Sequence, residues 1–115
     1  MSLTLLLRCN DLAATRAFYG ALPGFAVHDS VDTLTVAGHG GKLIFTAQDL
    51  WRSAPACSGT LYFTVPDVER LFADMQGLAA LAWPLQDMAY GSREFCIRDC
   101  DGYLLAFQQQ VLTSS

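Results

Sequence analysis

Apolar residues recur along this chain mostly at the two-residue spacing of strands and, in two stretches, at the wider spacing of an amphipathic helix. Leu3 to Cys9 reads as a short apolar strand. Asn10 or Asp11 offers a side-chain oxygen to cap a helix running through Leu22, where Pro23-Gly24 ends it. Phe25 to Ser30, Thr33 to Ala37 and Lys42 to Ala47 read as three strands, separated by Val31-Asp32 and by Gly38-His39-Gly40-Gly41. Gln48 to Ser58, with Trp51 and Pro55, is a looser link. The pattern then restarts: Gly59 to Val65 as a strand, a helix from Pro66-Asp67 to about Gln76 closed by Gly77, a weak strand over Leu81 to Gln86, and strands over Arg93 to Asp99 and Tyr103 to Gln109.

Both halves therefore read β-α-β-β-β. Sliding the chain by 56 residues lays Thr4 on Thr60, Leu6 on Tyr62, Leu7 on Phe63, Asp11 on Asp67 and Leu12 on Val68. Repeated supersecondary units usually pack as one object. The expectation is an α+β chain forming one domain over 1–115, with module one at about 3–47, a link at 48–58 and module two at about 59–109. The stretch Tyr90 to Phe107 carries the clearest signal. Phe95 and Ile97 alternate with Glu94, Cys96 and Arg98, and Asp101-Gly102 then turns the chain, with Asp carboxylates available to backbone N–H groups and Gly102 free to take positive φ.

Composition narrows the function classes. The chain has 115 residues, 52% hydrophobic and 16% charged, with net charge −4. A domain of this size buries roughly 65% of its unfolded surface and needs no disulfide or structural metal to fold. The seven basic residues form no run, which argues against a phosphate-backbone partner and so against nucleic acid. No apolar run approaches the ~20 residues of a bilayer span, and no signal-peptide pattern opens the chain, so a cytoplasmic location without membrane contact is expected. Cys9, Cys57, Cys96 and Cys100 contain no Cys-x-x-Cys pair and read as reduced, mostly buried small hydrophobes. Asp99 and Asp101 with Gly102 fall short of a calcium loop and read as turn residues. His28 and His39 follow no motif.

Three stretches together resemble a known family: Asp11-Leu12 to Phe18-Tyr19 with Gly24-Phe25 behind it, Phe63-Thr64-Val65-Pro66-Asp67-Val68, and the Tyr90 to Phe107 block. The chain resembles, over Leu3 to Gln109, the vicinal oxygen chelate superfamily of glyoxalases, extradiol dioxygenases, and fosfomycin- and bleomycin-resistance proteins. Cys100 stands where that family usually has Pro. The resemblance implies two βαβββ modules forming a curled, cleft-enclosing mixed sheet with helices on the outer faces, and commonly a homodimer. It also implies four strand positions for metal ligands, which in this chain fall on Thr4, Phe45, Thr60 and Ala106. None is His, Glu or Gln, so no metal and no cofactor is expected, and the resemblance is to the metal-free bleomycin-resistance-like branch.

Strand alternation from those positions assigns the cleft. Leu6 and Arg8, Tyr62 and Thr64, Glu94 and Cys96, and Leu104 and Gln108 should face it, while Leu7, Phe63, Val65, Phe95, Ile97, Leu105 and Phe107 form the sheet-to-helix core. Phe45, Trp51, Trp83, Met88 and Tyr90 add apolar and aromatic surface. Arg8 binds an anionic group or pairs with a neighbouring acid. Glu94 either acts as a general base or pairs with Arg8, Arg93 or Arg98. Trp51 and Trp83 close the pocket, cap a core or face a dimer partner. The expected function is metal-free binding of a small molecule, with sequestration of an aromatic or cationic compound such as an antibiotic. The alternative is a metal-independent lyase, isomerase or epimerase with Glu94 as base.

Overall fold

Two aspartates set the beginnings of the helices. The Asp11 carboxylate accepts from Ala13 N at 2.9 Å and starts α1, Leu12–Ala21; Asp67 accepts from Arg70 N at 3.2 Å and starts α2, Val68–Met75. Around them the strands follow in the expected order: β1 Thr4–Arg8, β2 Phe25–Ser30, β3 Thr33–Gly38 and β4 Gly41–Thr46, then β5 Thr60–Thr64, β6 Ala80–Asp87, β7 Ser92–Arg98 and β8 Leu104–Gln110. The computed structural model describes residues 3–57 and 59–110; Ser58, at the end of the expected link, lies outside them.

The strands form two four-stranded sheets with the same order, β1-β4-β3-β2 and β5-β8-β7-β6. In each, the first strand runs parallel to the last and the remaining pairs are antiparallel. Each module is thus a βαβββ unit, and the fold is α+β. No helix among the described residues is long and apolar enough to cross a membrane.

One face of each sheet packs on its helix, and the two helix-side layers merge into a single core. Phe63 stacks on Phe107 at 5.3 Å between ring centroids, Phe107 on Phe95 at 5.3 Å, and Phe25 of module one meets Phe63 edge-on at 5.7 Å. A Cβ at Gly41 would lie 2.5 Å from the Phe63 ring, so the closeness of the modules depends on that glycine. Of the expected core residues, Phe63, Val65, Phe95, Ile97, Leu105 and Phe107 belong to this cluster, and Leu7, half-buried, packs against it.

Phe45 belongs there too, which corrects its assignment to the cleft. It lies opposite Leu7 and Leu34 in the sheet, is fully buried, and packs on Tyr19 at 5.2 Å. The strand begins at Gly41, and Leu43 and Phe45 alternate inward against α1, so Ile44 and Thr46 are the residues on the open face.

Polar contacts tie the turn between β7 and β8 to module one. Gly102 has φ 88°, and the Asp99 carboxylate accepts from Asp101 N and Tyr103 N, both at 2.9 Å. Its other oxygen accepts from Tyr19 OH at 2.7 Å, Tyr103 OH donates to Arg8 O at 2.6 Å, and Asn10 Nδ2 donates to Asp101 Oδ1 at 2.8 Å. Burial pushes the Asp99 carboxyl above the usual carboxylate range, and the hydrogen bond from Tyr19 pulls it back. Ionising Asp99 therefore costs stability as pH rises through its raised value, and Tyr19 reduces that cost.

Tyr19→Phe should accordingly lower the unfolding free energy by about 2 kcal/mol at neutral pH, because it leaves a buried carboxylate short of one donor. The penalty should shrink in urea titrations at acid pH, below the raised value, where Asp99 takes a proton and no longer needs that donor.

Candidate functional site

The faces turned away from the helices carry the chemistry. In module two the register sets Tyr62, Ala106, Cys96 and Trp83 in one row across all four strands, with Thr64, Gln108, Glu94 and Gln86 in the next. Trp83 reaches this face through an irregularity in β6. Leu81 pairs with Ile97, but a register shift then sets Trp83 opposite Cys96, which moves its side chain to the open side. Pro84 is tolerated beside it because β6 is an edge strand.

Glu94 is the centre of the arrangement. It is fully buried, and both of its carboxylate oxygens are engaged. Oε2 accepts from Tyr62 OH at 3.1 Å and Trp83 Nε1 at 3.2 Å, while Oε1 accepts from Ser92 Oγ at 3.2 Å and from Tyr90 OH. Ala106 and Cys96 are the small residues between Tyr62 and Trp83 in their row, so both large side chains can lean over the sheet toward the same oxygen. Tyr62 and Tyr90 remain 47% and 64% exposed: their hydroxyls are anchored inside while much of each ring meets solvent. Burial, then hydrogen bonds with Tyr90 and Glu94, push the Tyr62 phenol above its ordinary value, which keeps it a donor. Burial pushes the Cys96 thiol up to about 11, so it is protonated at neutral pH and a poor nucleophile.

Glu94 makes no ion pair among the described residues, and the expected pairing with Arg8, Arg93 or Arg98 does not occur. Arg93 instead contacts Asp87 and Glu69, and Arg8 lies under the link, 3.6 Å from Asp49 and donating to Ser53 O. These partners were closer in space than Glu94, though nothing in strand alternation identified them. Trp51, Leu6 and Arg8 border a small cavity of about 150 Å³ between β1, the link and Tyr103, which includes none of the Glu94 donors. Met88 lies in the β6–β7 turn, its backbone N–H on Ser92 O at 2.7 Å. Of the expected cleft residues, Tyr62, Thr64, Trp83, Tyr90, Glu94, Cys96, Leu104 and Gln108 thus gather on or beside one face, whereas Leu6 and Arg8 belong to module one and Trp51 to the link. Ser92 was missed; it stands two residues before Glu94 and so on the same face, but the strand was expected to start at Arg93.

A groove of about 450 Å³ runs between the free edges of β1 and β5. Leu3, Leu5, Leu43, Leu61 and Phe63 contribute apolar walls, Lys42 a cation, and Tyr62 and Thr64 join it to the Glu94 face. Its volume is that of a small-molecule site.

This architecture has relatives. The sequence profile of the glyoxalase/bleomycin resistance protein/dioxygenase superfamily matches residues 3–107. The chain belongs to that superfamily. Among solved structures it is similar to a glyoxalase/bleomycin resistance protein/dioxygenase from Alicyclobacillus acidocaldarius, with 19% identity over 97% of this chain and 92% of the other at TM-score 0.79. It is also similar to TioX from Micromonospora sp. ML1, with 20% identity over 96% and 99% of the two chains at TM-score 0.79. A family enzyme from Burkholderia phytofirmans PsJN follows with 15% identity over 94% and 97% at TM-score 0.77. Comparison with curated proteins finds no match.

The superfamily name includes metal-using enzymes, and the donor set tests whether this chain fits a metal. With Ile44 in place of Phe45, the four strand positions are Thr4, Ile44, Thr60 and Ala106; Ile44 pairs with Leu6 as Ala106 pairs with Tyr62. Two hydroxyls and two hydrocarbons do not fit a divalent ion. No cluster of three or more His, Cys, Asp or Glu side chains suited to a metal occurs among the described residues.

Replacing Glu94 with Leu should cost about 3 kcal/mol in urea unfolding, since Trp83 Nε1 and Ser92 Oγ lose their acceptor inside the protein. Glu94→Gln, which keeps a carbonyl acceptor, should cost about 1 kcal/mol. Equal losses in the two variants would show that the hydrogen bonds do not hold the cluster.

Proposed function

We propose that the protein binds a small cationic or aromatic molecule on the open face of module two, without metal and without chemical conversion. The observation that carries this reading is the Glu94 carboxylate: buried, satisfied only by neutral donors, and without a counter-charge among the described residues. A buried charge held in this way makes its surroundings negative, so a ligand cation completes the balance. Tyr62, Trp83 and Tyr90 stand between Glu94 and the ligand. Donation of their O–H and N–H groups to a carboxylate polarises the rings toward higher electron density, which strengthens their attraction for a cation over a ring face. The groove beside Tyr62 supplies apolar area for the rest of the molecule. Sequestration of an aromatic cation, antibiotics included, in the cytoplasm and by a homodimer whose second copy covers the exposed edges of β1 and β5, is the fuller form of this proposal.

Catalysis by Glu94 is the second reading, favoured by its complete burial. General-base action needs a carboxylate oxygen within about 3 Å of the substrate proton, and all four approaches to Glu94 are occupied. Tyr90, the most exposed of the four donors, would have to leave first.

Phenyltrimethylammonium and its neutral analogue tert-butylbenzene separate these readings in calorimetry and thermal melts. The cation should bind more tightly, and at a hundredfold its dissociation constant it should add about 2.7 kcal/mol, or roughly 10 °C in Tm. Tyr90→Ala should weaken it about tenfold. Equal binding of the neutral analogue would overturn the cation site, and stabilisation by Zn²⁺ reversed by chelator would overturn metal independence. Proton exchange of an α-acidic carbonyl compound, abolished in Glu94→Gln, would favour the enzyme reading.

A further inference from the structure

Two cysteines outside this site sit at the junction where polar contacts join the modules. Cys9 follows β1 immediately, and Cys100 lies in the β7–β8 turn, 91 positions away. Each is bracketed by residues bonded across the junction. Arg8 O accepts from Tyr103 OH at 2.6 Å, Asn10 N and Nδ2 donate to Asp101 Oδ1 at 3.3 and 2.8 Å, and Asp99 accepts from Tyr19 OH. The Thr15 hydroxyl of α1 reaches the same junction: its Oγ1 is 3.8 Å from Cys100 Sγ. Both cysteines are free thiols; Cys9 is buried and Cys100 exposed. The sequence reading of mostly buried cysteines therefore holds for Cys9 and Cys96 and is corrected for Cys57 and Cys100, which the link and the turn carry at the surface.

We propose that Cys9 and Cys100 are an oxidant-sensitive dithiol whose disulfide staples module one to module two. Exposure and burial divide the roles. With hydrogen peroxide as oxidant, the Cys100 thiolate attacks one peroxide oxygen, the O–O bond breaks, and hydroxide leaves and takes up a proton to become water, which makes Cys100 a sulfenic acid. The Cys9 sulfur then attacks the Cys100 sulfur. The S–S bond forms, the S–O bond breaks, and the departing oxygen takes the Cys9 proton and leaves as a second water. Both thiols are raised mainly by burial, so the reaction accelerates as pH rises and more thiolate forms. The closed loop spans both modules, the arrangement in which a cross-link removes most freedom from the unfolded chain.

The test is peroxide treatment of the folded protein under non-reducing conditions, followed by intact mass and peptide mapping. The expected result is loss of two hydrogens per chain, a linked peptide containing Cys9 and Cys100, and a Tm raised by roughly 10 °C that reductant reverses. Cys100→Ser, at an exposed position, should abolish the link, and Cys57→Ser should leave it intact. A persistent Cys100 sulfenic acid trapped by dimedone, a link through Cys57, or a lower Tm after oxidation would each overturn the proposal.

Discussion

The buried carboxylate of Asp99 is the constraint on which the arrangement of the modules depends. A carboxylate removed from water must find donors, and Asp99 takes two from its own turn and one from Tyr19 of the first helix. The first two give the β7–β8 turn its shape, and the third presses that turn against module one. Tyr103 and Asp101 then fall within reach of Arg8 O and Asn10, and Phe63 and Phe107 meet Phe25 in the shared core. Hydrophobic burial supplies most of the stabilisation of such a core but has no direction. The directed bonds around Asp99 select one orientation.

Glu94 works by the same physics to a different end. Its donors come from β5, β6, the turn before β7 and β7 itself, so one carboxylate positions side chains from most of the second sheet. Where Asp99 joins elements for stability, Glu94 holds three aromatic side chains at a surface with its charge unbalanced by any ion pair among the described residues. That feature belongs to the site and not to the scaffold, since the superfamily's description spans several activities on one fold.

Much of this was legible. The two aspartate caps, the repeated element order and the Asp-Gly turn are local signals, and each element formed within a residue or two of its expected bounds. Alternation along β5, β7 and β8 placed Tyr62, Thr64, Glu94, Cys96, Leu104 and Gln108 on one face. The ligand position carried over to β4 from the family resemblance failed, because the strand's phase against α1 puts Phe45 in the core. A single-residue change of phase reverses every side chain in a strand, and apolar residues on both faces of β4 left that phase undecided.

The partners of the charged groups followed a different rule. Arg8 and Glu94 looked complementary as isolated residues, but pairing depends on three-dimensional proximity, and the link brings Asp49 and Ser53 to Arg8 while four neutral donors enclose Glu94. Local order of elements, helix starts, turn chemistry and most strand faces were determined by the sequence alone, because each rests on the conformational preferences of residues a few positions apart. The tertiary structure decided the joining of the modules, the bulge that delivers Trp83, the company of Glu94 and the placing of Cys9 and Cys100 at one junction. These depend on contacts between residues distant in the chain, which no local preference specifies.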